Sequence, residues 1–317
     1  MSGVKPVNSS DSDSDDSDEF GLESLFQVEK NPKWLSFDMW GWCRADNWQQ
    51  ILEENQRFKP ARVYLMKLVI DYLNSISVNY YVYGGTALSV YREGGKIIEH
   101  DGDIDVAIME TDFANVVKKI DSCQAFTDGE IVMEYQNINR GRSWFDADGT
   151  EIPFNGCGAK RIKFFATKKL LSLQFGIPDD ELISRDLVHL DVFTLSQHPD
   201  FSDCFCVNWN IPGHYDYRKK AFPKSIFFPL KKYSFEGLGV TGMNDLKTYL
   251  ELEYGYIGRG AIFDQETQLY VKIPENICEK LPERVQRDMI PDSWYLIFKI
   301  TKIPRSYLPR EIGKRKD

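Results

Sequence analysis

YGGTALSVYREGGKIIEHDGDIDVAI, residues 83–108, holds two glycine pairs and ends in three aspartates spaced two apart. Just before it, Val78–Tyr83 is β-branched and aromatic, the composition of a strand. Gly84-Gly85 breaks that strand. Thr86–Glu93 then reads as a short helix whose apolar side is Ala87, Leu88, Val90 and Tyr91, and Gly94-Gly95 ends it. Asp103–Ile108 reads as a second strand. Residues i and i+2 of a strand share a face, so Asp103 and Asp105 project together, roughly 6–7 Å apart at the backbone. Ile104, Val106 and Ile108 face the core. Neighbouring carboxylates repel, and a divalent cation that prefers hard oxygen ligands, Mg²⁺ or Mn²⁺, removes that cost. The spacing alone fits a solvated aspartate pair on an edge strand equally well. The turn upstream adds weight, because Gly84, Gly85 and Thr86 place backbone N–H groups and a helix N-terminus where a phosphate can approach.

A third carboxylate lies further on. In Leu187–Leu195 (LVHLDVFTL), Leu187, His189, Asp191 and Phe193 share one face and Val188, Leu190 and Val192 the other. An unpaired charge in so apolar a strand is expensive, so Asp191 implies a metal, a hydrogen-bonded site or a paired structural aspartate. Asp186 is the rival position, at the strand's edge.

Around these motifs the chain alternates short helices and strands, which gives an α+β expectation: a mixed sheet with flanking helices. Ala61–Ser75 is helical, with Leu65, Leu68, Val69 and Tyr72 at i, i+3, i+4 and i+7 and with Lys67 and Asp71 on the solvent side. Asp112–Ser122 and Met243–Tyr254 read as helices, and Ile131–Tyr135 and Arg161–Ala166 as strands. Residues 200–235, rich in aromatics and prolines, read as irregular. Four tryptophans, Trp34, Trp40, Trp42 and Trp48, are expected to pack the first ordered segment onto one domain spanning 26–317, with its core at about 61–255.

Composition narrows the function. Of the net charge of −9, −5 falls on residues 1–20 and −4 on the rest. A mildly acidic body lacks the basic face that broad nucleic-acid binding needs. No apolar run is long enough to span a membrane. Six cysteines in 317 residues do not form a disulfide scaffold, so the expected compartment is reducing and cytoplasmic. Residues 1–25 read as a disordered acidic tail. Within it, Ser10, Ser12 and Ser14 precede acidic residues and suit an acidophilic kinase. His198, Cys204, Cys206 and His214 are a weak zinc candidate, since C-x-C is not the usual spacing. Lys160, Arg161, Lys163, Lys168 and Lys169 form a basic cluster, Arg140 and Arg142 flank a glycine, and Arg310–Lys316 is a basic tail.

Residues 83–108 resemble the signature of the LicD and fukutin family, within the DNA polymerase β-like nucleotidyltransferase superfamily. The matching features are Gly85-Thr86, then Arg92 before glycines, then Asp101, Asp103 and Asp105. His189-Leu190-Asp191-Val192-Phe193 is similar to the family's later aspartate strand. Phe235-Glu236-Gly237, followed by a helix ending at Tyr254-Gly255, is similar to a distal block. The resemblance implies metal-dependent transfer of a phospho-alcohol group, such as phosphocholine or ribitol phosphate, from a CDP-linked donor to a sugar or glycan hydroxyl. It implies Asp103, Asp105 and Asp191 as catalytic and metal-holding residues, with Asp191 also able to accept a proton. Gly84, Gly85, Thr86, Arg92 and Asp101 would bind substrate. For Arg92 a salt bridge to Glu93 or Glu99 is the competing reading. Gly102 stands where many relatives have a further aspartate. The same fold also serves nucleotidyl transfer with release of pyrophosphate, and a non-catalytic interaction protein could retain it.

Because residues 1–20 cannot form a core, deleting them should leave the melting temperature within a degree or two of the full chain. Scanning calorimetry of the two proteins checks this, and a drop of many degrees would mean that the tail packs on the body.

Overall fold

The first helix, α1 (Trp48–Ser75), buries Leu65, Met66, Val69, Tyr72 and Leu73 along one stripe. Lys67 and Asp71 pair at 2.7 Å on its outer side. Periodicity placed the helix start at Ala61, but the helix begins at Trp48 and runs through Pro60. Proline removes one helical hydrogen bond and disfavours an interior position. Here Phe58 and Ala61, both buried, pack the turns on either side of it into the core, and tertiary burial outweighs the local preference.

The computed structural model describes residues 48–137, 143–152, 158–178, 187–211, 215–259, 261–264, 269–272 and 275. The acidic tail, the first three tryptophans, Arg140, Arg142, Asp186, His214 and the C-terminal basic residues lie outside them. After α1 come β1 (Tyr80–Val82), α2 (Gly84–Arg92), β2 (Ile104–Met109), α3 (Glu110–Lys118), α4 (Gln124–Thr127), β3 (Ile131–Asn137), β4 (Trp144–Asp146), β5 (Glu151–Ile152), β6 (Gly158–Ala166), α5 (Lys168–Phe175) and β7 (His189–Gln197). The second half adds β8 (Cys204–Val207), β9 (Trp209–Ile211), β10 (Tyr215–Asp216), β11 (Phe222–Pro223), β12 (Lys231–Phe235), β13 (Leu238–Gly242), α6 (Leu246–Tyr254), β14 (Ala261–Asp264) and β15 (Leu269–Lys272).

The main sheet runs β1-β2-β7-β6-β3-β4-β5. Along this path only β2 and β7 are parallel. Helix α1 packs on β6 and β7, and α3 on β2 and β7. The α+β expectation of a mixed sheet with flanking helices therefore holds. Two local readings need correction. The helix expected over Asp112–Ser122 is α3 followed by a separate 3₁₀ turn, Ile120–Ser122. Residues 200–235 are not irregular: β8 pairs with β7 through Leu195 and Val207, and β9 pairs with β6. Strands of two to five residues are too short to display a period of two, so their order comes from the sheet they join.

The distal hairpin is tied to the first motif by one carboxylate. Glu236 and Gly237 form the two-residue turn between β12 and β13, with φ of +48° and +84°. Positive φ at both positions matches the twist of the flanking strands. This turn lies against Gly94-Gly95: the Glu236 N–H donates to the Gly95 carbonyl at 2.7 Å, and the Ile97 N–H donates to Glu236 Oε1 at 2.7 Å. A Cβ on Gly95 would stand 2.2 Å from the Ser234 carbonyl oxygen, so only glycine permits the approach. Lys59 of α1 completes the tie, 2.8 Å from Glu236 Oε1.

Burial opposes the Glu236 charge, but the hydrogen bonds from Lys59 and Ile97 outweigh it and hold the carboxyl below its ordinary range. A depressed carboxylate stabilises the fold above the unfolded-state value, and that stability is lost as pH falls through the folded value. Glu236→Gln should therefore cost about 1 kcal/mol at neutral pH, a size limited by water around half-exposed Lys59. The difference should shrink below about pH 4. Urea unfolding of both proteins at pH 7 and pH 3.5 measures it.

Candidate active site at the head of the parallel pair

Parallel pairing sets Asp105 of β2 directly beside Asp191 of β7. The residues brought to this point come from β2 and its approach, β7 and β6. Asp101 and Asp103 lie in the approach to β2, and Asp103 sits one residue outside the strand that it was expected to start. His189 opens β7, with Nε2 3.5 Å from Asp103 Oδ2. One ligand atom each from Asp103, His189 and Asp191 fall within 4.8 Å of one another. Antiparallel pairing with β6 puts Lys163 opposite Asp191. Lys163 Nζ is 3.8 Å from Asp191 Oδ1, and Arg161 Nη1 is 3.6 Å from Oδ2. Asp191 is buried, and among the described residues its Oδ1 accepts no hydrogen bond.

Strand alternation divides the basic cluster. Arg161 and Lys163 share the face of Asp191, and the Arg161 guanidinium lies over the rings of Trp144 and Phe193, at 4.9 and 5.6 Å. Lys160 turns the other way and pairs with Glu110 at 2.7 Å. Lys168 and Lys169 belong to α5, where Lys169 donates to the Asp128 carbonyl. The structure adds His189, Arg161 and Lys163 to the carboxylates read from the sequence. The period-two pattern that placed Asp191 also placed His189 on its face, and this signal was available.

The glycine turn accommodates carboxylates. A Cβ at Gly84 would stand 2.6 Å from Asp105 Oδ2, and one at Gly85 2.4 Å from Asp101 Oδ2. Gly84 has φ +56°, a conformation that side chains rarely adopt. Its N–H donates to Tyr249 Oη of α6 at 3.2 Å. Thr86 is buried, and its Oγ1 accepts from the Asp105 N–H at 2.8 Å, tying the start of α2 to β2. From below, buried Arg62 of α1 donates through Nε and Nη2 to the Leu187 carbonyl, at 3.1 and 2.9 Å, and through Nη1 to Asn55, at 3.0 Å. Asn55 in turn donates to the Glu99 carbonyl at 3.2 Å. One arginine thus fixes both approaches, to β7 and to the DGD segment.

Arg92 closes one side. Its Nε donates to Glu93 Oε1 at 2.6 Å, while Nη1 and Nη2 are buried without a hydrogen-bond partner among the described residues. Arg259 reaches the other Glu93 oxygen at 2.5 Å. Burial, then the Arg92 and Arg259 charges, push the His100 imidazole down to about 4, as expected of a positively charged corner.

Crowding sets the protonation of the carboxyls. Loss of water, then the charges of Asp103, Asp191 and Asp101, raise Asp105 well above its ordinary range. Asp101 is raised by burial and by Asp103. Burial also works against Asp103, but hydrogen bonds from His189 and Asp101 reverse the balance and lower it. The proposed zinc set does not assemble among the described residues: His214 lies outside them, and His198 Nδ1 accepts the Asp200 N–H at 3.1 Å.

A carboxylate cluster packed on a strand–glycine–helix turn, within a large mixed sheet with flanking helices, defines the chain as an α+β protein with an acidic site at the head of its parallel strand pair. More particularly, residues 77–175 match the family model described as LicD/FKTN/FKRP, nucleotidyltransferase domain. The family resemblance read in the sequence holds over that segment, which contains the glycine turn, the aspartate run and β6 but ends before Asp191. No curated protein matches the chain. Among solved structures, the lincomycin-bound lincosamide antibiotic adenylyltransferase LnuA is similar over 57% of this chain and 78% of its own, at 13% identity. Its TM-score of 0.29 is too low to add to the fold assignment. Among the described residues no helix is long and apolar enough to cross a membrane.

A carboxyl whose folded pKa is raised binds its proton more tightly folded than unfolded. Metal-free stability therefore falls as pH rises from the unfolded value through the folded one. Asp105→Asn removes that cost. It should raise metal-free stability at pH 7 by about 1–2 kcal/mol and leave it nearly unchanged near pH 4. Thermal melts in EDTA at the two pH values give the comparison.

Proposed function

We propose that this chain is a divalent-metal-dependent transferase moving a phospho-alcohol group from a CDP-activated donor to a sugar hydroxyl. The observation that carries this reading is the convergence of Asp101, Asp103, Asp105, Asp191 and His189 on the Gly84-Gly85 turn, between the cations Arg92 on one side and Arg161 and Lys163 on the other. The donor set fits a cation. Four crowded carboxyls repel one another, and Asp191 Oδ1 is buried without a hydrogen bond from the described residues. Asp103, Asp191 and His189 would hold the cation, with Asp105 beside them. Mg²⁺ suits the oxygens, and the imidazole nitrogen favours Mn²⁺. The bound cation would neutralise diphosphate charge.

The residues themselves account for the remaining steps. Arg92 Nη1 and Nη2, which have no hydrogen-bond partner among the described residues, receive a phosphate oxygen of the donor. Arg161 and Lys163 balance charge on the group in transfer. The acceptor hydroxyl gives its proton to Asp191 as its oxygen bonds to the phosphorus carrying the alcohol. The bond from that phosphorus to the CMP oxygen breaks, and CMP leaves with the electron pair. The domain spanning 26–317 is proposed as one catalytic unit, and the acidic serine tail as a kinase target outside it.

The test is product analysis. With CDP-choline or CDP-ribitol, an oligosaccharide acceptor and Mg²⁺ or Mn²⁺, CMP should be released. Asp191→Asn should keep its melting temperature while CMP release falls by about 10²–10⁴-fold, and donor affinity measured in the same variant tells loss of the cation from loss of the proton acceptor. Pyrophosphate released from a nucleoside triphosphate would assign nucleotidyl transfer instead. Donor binding with no turnover under any pairing would favour a non-catalytic interaction protein.

A further inference from the structure

Glu93, the residue that follows the last turn of α2, holds two arginines at once. Arg92 Nε donates to its Oε1 at 2.6 Å, and Arg259 Nη2 donates to its Oε2 at 2.5 Å. An arginine beside a carboxylate commonly closes on it with two parallel N–H···O bonds, and the second of these uses an Nη group. Here Arg259 takes the second oxygen. Glu93 therefore meets Arg92 through Nε alone, and Arg92 Nη1 and Nη2 are left with no hydrogen-bond partner among the described residues. Two guanidinium groups on one carboxylate also leave an excess of positive charge, which suits an anion.

This corner adjoins the aspartate run. Burial holds the Tyr270 phenol above its ordinary range, while the Arg92 charge lowers it and the Asp101 charge raises it. One ring thus stands within reach of both the guanidinium and the acidic site.

The segment that carries Arg259 has a fixed path. Gly255 ends α6 with φ +82° and pairs with Tyr270 of β15. A Cβ at Gly255 would stand 2.7 Å from the Tyr270 carbonyl oxygen, which also accepts the Tyr256 N–H at 2.9 Å. The end of α6 is closed onto the β14–β15 hairpin three residues before Arg259. Because Tyr249 of the same helix holds the Gly84 N–H, α6 sets both the glycine turn and the start of the segment that reaches Glu93.

We propose that Arg259 is a positioning residue for phosphate binding: by occupying Glu93 Oε2 it stops Glu93 from closing on Arg92 with both oxygens, and so keeps Arg92 Nη1 and Nη2 open to a phosphate of the donor. This rests on Arg92 as the phosphate-binding arginine of the proposed reaction, and it adds a control on that arginine from outside residues 77–175.

The test is calorimetric titration of the full chain with inorganic pyrophosphate in Mg²⁺, a probe that carries a diphosphate and no base. Arg259→Gln should weaken binding by about tenfold, the loss of one charge-assisted hydrogen bond from Arg92. Arg259→Lys keeps a donor for Oε2 and should bind within about twofold of wild type. Arg259 is half-exposed, so both variants should melt within about two degrees of wild type. With Glu93→Gln in place no carboxylate is left to close on Arg92, and adding Arg259→Gln should cost nothing further. A direct pull of the Arg259 charge on the anion would persist in that background. The proposal is overturned if wild type binds no pyrophosphate, if Arg92→Lys or Arg259→Gln binds it as tightly as wild type, if Arg259→Lys binds as weakly as Arg259→Gln, or if the Arg259→Gln loss is the same with Glu93→Gln in place. CMP release decides the transfer reaction separately: pyrophosphate held through Arg92 without CMP release keeps this role for Arg259 and removes the proposed reaction.

Discussion

Repulsion among Asp101, Asp103, Asp105 and Asp191 is the constraint on which the rest of the structure depends. Nothing in strand pairing favours like charges side by side, yet β2 and β7 hold Asp105 against Asp191. The arrangement persists because the surroundings over-determine it. Arg62 fixes the carbonyl at the entrance to β7, Thr86 fixes the Asp105 backbone, and two glycines give the carboxylates room. Arg161 and Lys163 supply compensating charge from β6. This connectivity maintains a cluster that is unfavourable by itself, and the proposed function rests on it.

The second half of the chain acts on this corner from outside the segment that matches the family model. Tyr249 of α6 accepts the Gly84 N–H, and α6 is itself anchored by a buried pair. Lys220 Nζ donates to the Glu253 carbonyl at 2.5 Å and lies 3.6 Å from Glu253 Oε1. Tyr83, immediately before the glycines, reaches the same carboxylate at 3.5 Å. The β12–β13 hairpin grips the second glycine pair through Glu236. The distal Phe235-Glu236-Gly237 block thus has a mechanical role: it holds the loop between α2 and the aspartate run at a fixed height above the sheet. Phe235 is fully buried beneath it.

Much of the fold was legible where a pattern was long enough to repeat. The apolar stripe of α1, the strand–glycine–helix unit and the two aspartate strands each occupy enough residues for a period to show. The reading failed at Pro60, where burial overrode a local preference, and over residues 200–235, where strands of two to five residues carry no periodicity. At the site, Asp105 and Asp191 are legible as carboxylates on apolar strands, and Asp103 as the residue two before Asp105. The alternation that places Asp191 also places His189 on its face, and it sets Arg161 with Lys163, but one strand does not carry which face meets the aspartates.

What the sequence determined by itself is which side of each strand a residue occupies, because alternation is a property of one chain segment and its own backbone. It therefore set Asp103 with Asp105, His189 with Asp191, and Arg161 with Lys163. What only the tertiary structure decided is which of these faces meet, and at what height. Asp105 stands beside Asp191 and Lys163 opposite it because hydrogen-bond ladders between strands far apart in the chain settle on one register. A slip of one residue would turn every one of these side chains to the other face. That register is selected by burial of Ile104, Val106, Leu190 and Val192 together, a sum over the whole core that no single strand contains.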